Sequence, residues 1–125
     1  MSDHILWFNQ LGMSDVSLVG GKNSSLGEMI SALYSKGVNV PDGFATSSLA
    51  FTSFLEANQL DKKIQDILSH LNVSDVNALT DTGKTIRQWI NDASFSSRFV
   101  LEVEDAYCQL QAGNKGLSVA VRSSA

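Results

Sequence analysis

The sequence predicts an α+β fold with about five helices and three short strands. Helical periodicity fills the middle of the chain, whereas three short apolar or alternating runs lie near the start, behind a Pro-Asp-Gly turn and at the end. The chain has 125 residues, 43% of them hydrophobic and 18% charged, which is the composition and length of one globular domain. We therefore expect residues 1–125 to form a single domain.

Three segments have the pattern of strands. Residues 5–8 (ILWF) are an apolar run typical of a buried strand. Pro41 fixes φ and Gly43 accepts a positive φ, so together they predict a turn that leads into a second strand, residues 44–46. A third strand is predicted over residues 116–122 by three alternating apolar residues, Leu117, Val119 and Val121. We expect these strands to meet despite their separation in sequence.

The first helix is predicted over residues 24–36, where apolar residues recur at helical spacing: Leu26, Met29, Ile30, Leu33 and Tyr34. Asn23, Ser24 and Ser25 could each cap its start, and Ser25 with Glu28 has the spacing of a capping box. Gly37 is the expected end, because glycine adopts the left-handed conformation that closes many helices.

Four further helices follow. The second begins at Ser47 or Ser48 and is expected to turn Phe51, Phe54 and Leu55 inward. The apolar face of the third helix consists of Leu60, Ile64, Ile67, Leu68 and Leu71, and that of the fourth consists of Val76, Leu79, Gly83, Ile86 and Ile90. The apolar face of the fifth consists of Phe95, Phe99, Val103, Ala106, Tyr107 and Leu110. Gly113 is expected to end the fifth helix. We expect these faces to form the core.

Composition and charge exclude several classes of function. The net charge of −4 argues against broad binding to nucleic acid or to anionic membranes, both of which need clustered cations. No leader or membrane-spanning run is visible, so we expect a cytoplasmic protein. Cys108 has no partner for a disulfide and should be a small buried hydrophobe. His4 and His70 lack metal-ligand or nucleophile spacing and should be structural or surface residues.

A glycine loop precedes the first predicted helix. Gly20 and Gly21 keep the loop free of side chains, and Lys22 brings an ammonium to the same place as a helix N-terminus. Backbone N–H groups, the helix dipole and a cation are the features that bind a phosphate. The loop is not a Walker motif, which needs four residues between its glycines. The alternative is a glycine-permitted turn into a surface helix, with Lys22 in solvent.

Three segments of the chain carry a resemblance to a known family: LVGGKNSSLGEM at residues 18–29, GVNVPDGFATSSLA at residues 37–50, and VAVRSSA at residues 119–125. In this order they resemble the N-terminal part of the family of phosphoenolpyruvate synthase and pyruvate phosphate dikinase, to which rifamycin phosphotransferase also belongs. The resemblance implies an ATP-grasp-like nucleotide-binding domain. It also implies that residues 1–125 are the N-terminal fragment of that domain in a longer enzyme.

The resemblance implies a set of ATP-binding residues. Lys22 matches the lysine of the family's GGK motif and Arg122 the arginine of its VRS motif, and in relatives both contact the phosphates of ATP. Gly20 and Gly21 would let the backbone approach the nucleotide. Ser123, like the serine after it, could donate its hydroxyl to a phosphate or simply form a turn. The alternatives for the two cations are a solvated Lys22 and an Arg122 in a surface ion pair.

The implied activity is that of pyruvate, water dikinase, which converts pyruvate, ATP and water into phosphoenolpyruvate, AMP and phosphate through a phosphohistidine. In this family the histidine domain and the pyruvate-binding barrel are separate parts of the polypeptide, and the acids that hold magnesium come later in the sequence. We therefore expect ATP, pyruvate and the remaining domains of the same polypeptide as partners. We expect this chain alone to be catalytically inactive.

Several alternatives stay open. Within the family, Asn23 and Ser124 favour the synthase, because the dikinase usually has glycine at both positions; Ser25 departs from the synthase, which usually has alanine there. Rifamycin phosphotransferase has a similar VRSSA segment. From another class, the chain could be a complete nucleotide-binding or interaction module. A purely structural helical domain would leave Lys22 and Arg122 far apart.

Overall fold

The computed structural model describes residues 3–112 and 116–124, and the chain divides into two compact units. One unit comprises Met1–Phe51 with Ser97–Ala125, and the other comprises Thr52–Ser96. The predicted α+β class is confirmed, since the described residues are mostly helical and include a small two-stranded sheet. They contain six α-helices, where about five were expected. None of these helices combines the length and the apolar character needed to cross a membrane.

The sheet lies in the first unit. Strand β1 (Ile5–Trp7) pairs antiparallel with strand β2 (Phe44–Thr46), so that Leu6 faces Ala45 in the register. Both strands fall where the sequence predicted them. The core beside the sheet consists of buried Leu11, Val19 and Ala45, with Leu6, Phe8 and Leu18 packed against them.

The predicted third strand is wrong. Residues 117–124 form no strand, and the sheet of the described residues contains only β1 and β2. The alternation of Leu117, Val119 and Val121 does not bury one face, because Val121 is 93% exposed. A strand needs a neighbour that supplies hydrogen bonds along its length. This segment instead makes a side-chain contact with the start of a helix, described below.

Two helices meet at Gly20. Helix α1 (Val16–Val19) ends there and helix α2 (Gly21–Leu33) begins at the next residue, three positions before the predicted start at Ser24. Gly20 has a φ of +82°, which breaks the helical path and makes it the N-cap of α2. After α2, a 3-10 turn (Tyr34–Lys36) leads to Gly37, whose φ of +77° confirms the predicted helix end.

None of the predicted capping residues acts as a cap. The Asn23 side chain donates to the Val19 carbonyl oxygen at 3.0 Å, and Ser24 is completely buried inside α2. The Ser25–Glu28 capping box does not form, because Glu28 instead accepts a hydrogen bond from the Met13 N–H at 3.1 Å. The propensity of these residues for caps was overridden by Gly20, the residue that can adopt the required positive φ.

Helix α2 packs very closely on the chain that follows β1. A Cβ placed on Gly27 would lie 2.4 Å from the Leu11 carbonyl oxygen, far inside van der Waals contact. Glycine at this position therefore sets the distance between α2 and the loop after the 3-10 turn Phe8–Gln10. The predicted apolar face of α2 is only partly correct, since Tyr34 at its far end is 77% exposed.

Helix α3 (Ser48–Ala57) begins in the first unit. Ser47 caps it as predicted, accepting from the Ala50 N–H at 3.3 Å while its own hydroxyl donates to the Asp3 carbonyl oxygen. Phe51 was expected to point inward, but it lies on the exposed side of the helix and is 52% exposed. The buried residue of α3 is Ala50, and since adjacent residues of an α-helix point about 100° apart, its burial does not turn Phe51 inward.

Helix α6 (Ser97–Leu110) packs near β1 in the first unit. Its Glu102 carboxylate lies 2.9 Å from Nδ1 of His4 and 3.1 Å from Nε of Arg98, so His4 has the structural role expected of it. Cys108, predicted to be buried, is exposed because the face of α6 that carries Ala106 is the buried one. The expected helix end at Gly113 lies outside the described residues.

The second unit consists of the later part of α3 with helices α4 (Leu60–Ser69) and α5 (Val76–Asp92). Asp75 caps α5 by accepting from the Ala78 N–H at 3.1 Å. The side chain of Asn58 exchanges two hydrogen bonds with the Ser94 backbone. The predicted apolar face of α5 is exposed at its start, at Val76 and Leu79, so this stripe is not core throughout.

Candidate functional site

Two predicted site residues from opposite ends of the chain lie around one surface concavity. Lys22, in the first turn of α2, and Arg122, in the segment after α6, both line a hollow of about 470 Å³. The other residues that line it are Met13, Gly21, Ser25, Leu26 and Met29. The structure thus brings Lys22, Gly21 and Arg122 together, whereas a purely structural domain was expected to hold the two cations apart.

The concavity lies at the positive end of α2. Gly21 and Lys22 are the first two residues of the helix, so their N–H groups have no acceptor within it. The helix dipole adds a partial positive charge at this end. The side chains of Lys22 and Arg122 are both exposed, which leaves their charges accessible to a ligand. This arrangement favours an anion with several oxygens, such as a phosphate chain.

Three of the residues that line the concavity are apolar: Met13, Leu26 and Met29. The Ser25 hydroxyl lies 3.8 Å from the Met13 sulfur. Met13 begins a 3-10 turn (Met13–Asp15), at whose start the Gly12 N–H donates to Asp15 at 2.9 Å. The lining of the hollow therefore combines two cationic side chains with three apolar ones.

The third N–H group of α2 is capped by the distant end of the chain. The Asn23 N–H donates to the Ser124 hydroxyl oxygen at 3.0 Å, although the two residues are 101 positions apart in sequence. A serine hydroxyl is a good acceptor for the free N–H groups at a helix start. Ser124, which was considered as a phosphate donor, thus serves as an acceptor for the helix.

Gly20 is approached by Ser124. A Cβ on Gly20 would lie 1.6 Å from the Ser124 carbonyl oxygen and 2.7 Å from its hydroxyl oxygen. Glycine is therefore needed here both for the positive φ and for this close approach. At Gly21, by contrast, no described atom lies within 4 Å of such a Cβ. The prediction that both glycines admit a nucleotide stays a prediction.

The remaining candidates lie elsewhere. Ser123 is exposed and does not line the concavity, so its predicted contact with phosphate stays a prediction. His70 is an exposed residue whose Nδ1 lies 2.9 Å from the Asp66 carbonyl oxygen. Across residues 3–112 and 116–124, no three His, Cys, Asp or Glu side chains gather as a metal-binding group.

The role of Ser124 as a cap was not recognised from the sequence. Local patterns identify caps within a few residues of a helix start, and they suggested Asn23, Ser24 and Ser25. A cap supplied from 101 positions away leaves no local signal. The one indirect sign was the pair of glycines, which can mark a close backbone approach as well as a ligand site.

Comparison with known proteins gives a consistent result. The profile of the family described as "Pyruvate phosphate dikinase, AMP/ATP-binding domain" matches residues 16–125. A phosphoenolpyruvate synthase from Pseudomonas aeruginosa is 50% identical over 125 residues, which cover 100% of this chain and 16% of the relative's own length. A phosphoenolpyruvate synthase from Escherichia coli is 48% identical over 97% of the chain and 15% of its own length. A probable phosphoenolpyruvate synthase from Methanocaldococcus jannaschii is 40% identical over 97% of the chain and 10% of its own length.

Proposed function

This chain belongs to the family of pyruvate phosphate dikinase AMP/ATP-binding domains, and on that premise we propose that it binds the phosphates of ATP as the N-terminal fragment of the nucleotide-binding domain of a phosphoenolpyruvate synthase. The observation that carries this proposal is that Lys22 and Arg122 line one concavity at the positive end of α2. The names of the similar enzymes favour the synthase within the family.

The two cations have different tasks in this proposal. Lys22 supplies a compact charge to one phosphoryl oxygen, whereas the planar guanidinium of Arg122 binds two oxygens at once. Two charge-assisted contacts contribute about 3–6 kcal/mol together. A millimolar dissociation constant corresponds to roughly 4 kcal/mol. We therefore expect this chain to bind ATP with a dissociation constant near one millimolar or weaker.

The complete reaction extends beyond this chain, which spans 15–16% of the length of the two bacterial synthases named above. We propose that the remaining parts of the polypeptide supply the histidine that is phosphorylated, the pyruvate site and the carboxylates that hold magnesium. Magnesium would neutralise the phosphate charge during transfer. We also propose a cytoplasmic location and expect this chain alone to lack catalytic activity.

The test is a titration of this chain with magnesium and ATP, ADP or AMP, followed through amide chemical shifts. We expect shifts at Gly20–Ser24 and at Arg122, with the affinity falling from ATP to ADP to AMP, because the cations contact the phosphate chain. Lys22→Ala and Arg122→Ala should each weaken ATP binding by about tenfold or more, as expected for the loss of a charge-assisted contact.

The matched control is Lys36→Ala, which removes an exposed charge at the opposite end of α2. It should leave the ATP affinity unchanged. The proposal would be overturned if AMP bound as well as ATP, or if the three substitutions weakened binding equally. Shifts centred away from the start of α2 would also contradict it.

A further inference from the structure

Ser124 attaches the segment that carries Arg122 to the start of α2. Its hydroxyl accepts from the Asn23 N–H at 3.0 Å, and its carbonyl oxygen lies where a Cβ of Gly20 would stand. The first contact fixes the segment to the helix, and the second requires that residue 20 be a glycine. Both contacts involve the residues directly before and after the proposed phosphate-binding pair Gly21 and Lys22.

We infer that Ser124 is a positioning residue, which holds Arg122 beside Lys22 by capping the N-terminus of α2. This inference rests on the proposed function. Ser124 makes no contact with phosphate in this role; it acts through the location of the arginine two residues earlier.

Two residues of extended chain span at most about 7 Å, so fixing Ser124 confines the backbone of Arg122 to a small region next to the helix start. Residues 117–124 are not part of the sheet, and Arg122 itself is exposed. Without the Ser124 contact, the guanidinium would sample positions away from Lys22. The two cations would then seldom meet the same phosphate chain.

The first measurement uses no nucleotide. In the unsubstituted chain, the Asn23 amide should exchange slowly with solvent and show a nuclear Overhauser effect to the Ser124 side chain. Ser124→Ala should speed the exchange of this amide by roughly two- to thirtyfold, since the lost hydrogen bond is that of a helix cap. The matched control is Ser118→Ala, which removes an exposed hydroxyl from the same segment and should change neither signal.

The second measurement is a double-mutant cycle of magnesium-ATP affinity. Ser124→Ala should weaken binding nearly as much as Arg122→Ala, and combining the two should add little, because each removes the same contact. Lys22→Ala should still impose its full loss in the Ser124→Ala background. A structural role without positioning would weaken the contributions of both cations alike.

The outcomes separate this inference from the proposed function. If the unsubstituted chain binds ATP but the Ser124→Ala and Arg122→Ala losses multiply within about twofold, the positioning role is wrong and the proposed function stands. An unchanged exchange rate of the Asn23 amide in Ser124→Ala would also overturn the role. If no ATP binds at all while that amide responds to Ser124→Ala, the proposed function is wrong but the attachment of the segment is confirmed.

Discussion

Around Gly20, the structure joins parts of the chain that are far apart in sequence, and it does so at very short distances. The Ser124 hydroxyl accepts from the Asn23 N–H across 101 positions, the Ser124 carbonyl oxygen approaches Gly20, and the Leu11 carbonyl oxygen approaches Gly27. At Gly20 and Gly27 these neighbours leave no room for a Cβ. The two positions are therefore sensitive to the addition of even one carbon atom.

The unit Thr52–Ser96 differs, because the contacts that hold it together involve larger side chains. The Lys63 Nζ lies 4.1 Å from the centroid of the Trp89 ring, and the ring centroids of Phe54 and Phe95 are 5.3 Å apart. The Asn58 side chain donates a hydrogen bond to the Ser94 carbonyl oxygen. Such contacts are individually weak and tolerate adjustment. We therefore expect substitutions around Gly20 to lower the free energy of unfolding through steric overlap. Each substitution in the unit Thr52–Ser96 should change it by a small amount.

The largest effect on stability is expected when a glycine of the first region is replaced by alanine. The same replacement in the second region provides the comparison. Gly27→Ala in α2 should lower the free energy of unfolding by about 1–3 kcal/mol or more, because the added Cβ overlaps Leu11. Gly83→Ala in α5 should instead raise it by about 0.5–1 kcal/mol, since alanine is the better helix former. Its Cβ would meet only the flexible end of Arg87, at 3.2 Å.

The measurement is urea unfolding followed by tryptophan fluorescence, with Trp7 reporting on β1 and Trp89 on α5. Each tryptophan is observed alone after the other is replaced by phenylalanine. Equal changes in the free energy of unfolding for Gly27→Ala and Gly83→Ala would contradict the proposed difference between the two regions.

An intermediate effect is expected at the start of α5. Asp75→Ala removes the acceptor of the Ala78 N–H and should lower the stability of the second unit by about 1 kcal/mol. Asp75→Asn retains a side-chain oxygen at the cap and should cost much less. Unfolding monitored at Trp89 distinguishes the two variants. A loss as large as that of Gly27→Ala would show that this unit too depends on single positions.

The smallest effect is expected for the contact between Lys63 and Trp89. Lys63→Met keeps a long apolar side chain but removes the cation, so the stability should fall by about 0.5–1 kcal/mol. Lys62→Met, at the adjacent exposed position of α4, serves as the control for the loss of one charge. Identical unfolding midpoints for the two variants would show that the contact between Lys63 and Trp89 does not stabilise the second unit.

The sequence predicts best what depends on neighbouring residues. Both strands, the helix end at Gly37 and the cap at Ser47 follow from short patterns, and the structure confirms them. The turn predicted from Pro41 and Gly43 is wrong, because residues 41–43 have no assigned turn and Gly43 does not have a positive φ. Periodicity also located the helices. It could not predict that Val76 and Cys108 are exposed, because an apolar residue is buried only where another element covers it.

The site was predictable only in part. Lys22 and Arg122 were identified through a family resemblance, and the structure places them around one concavity. The start of α2 was missed because three good capping residues follow it, while the true N-cap is a glycine with a positive φ. The third strand was wrongly predicted, because alternation describes one segment and says nothing of whether a partner strand is present.

The separation between Asn23 and Ser124 also has a consequence for the order of assembly during synthesis. The start of α2 leaves the ribosome 101 residues before the serine that caps it. At about 5–20 residues per second, roughly 5–20 s pass before the cap can form. Through that interval the N–H groups at the start of the nascent helix are open to other acceptors, and closing so long a loop costs more entropy than a local cap does.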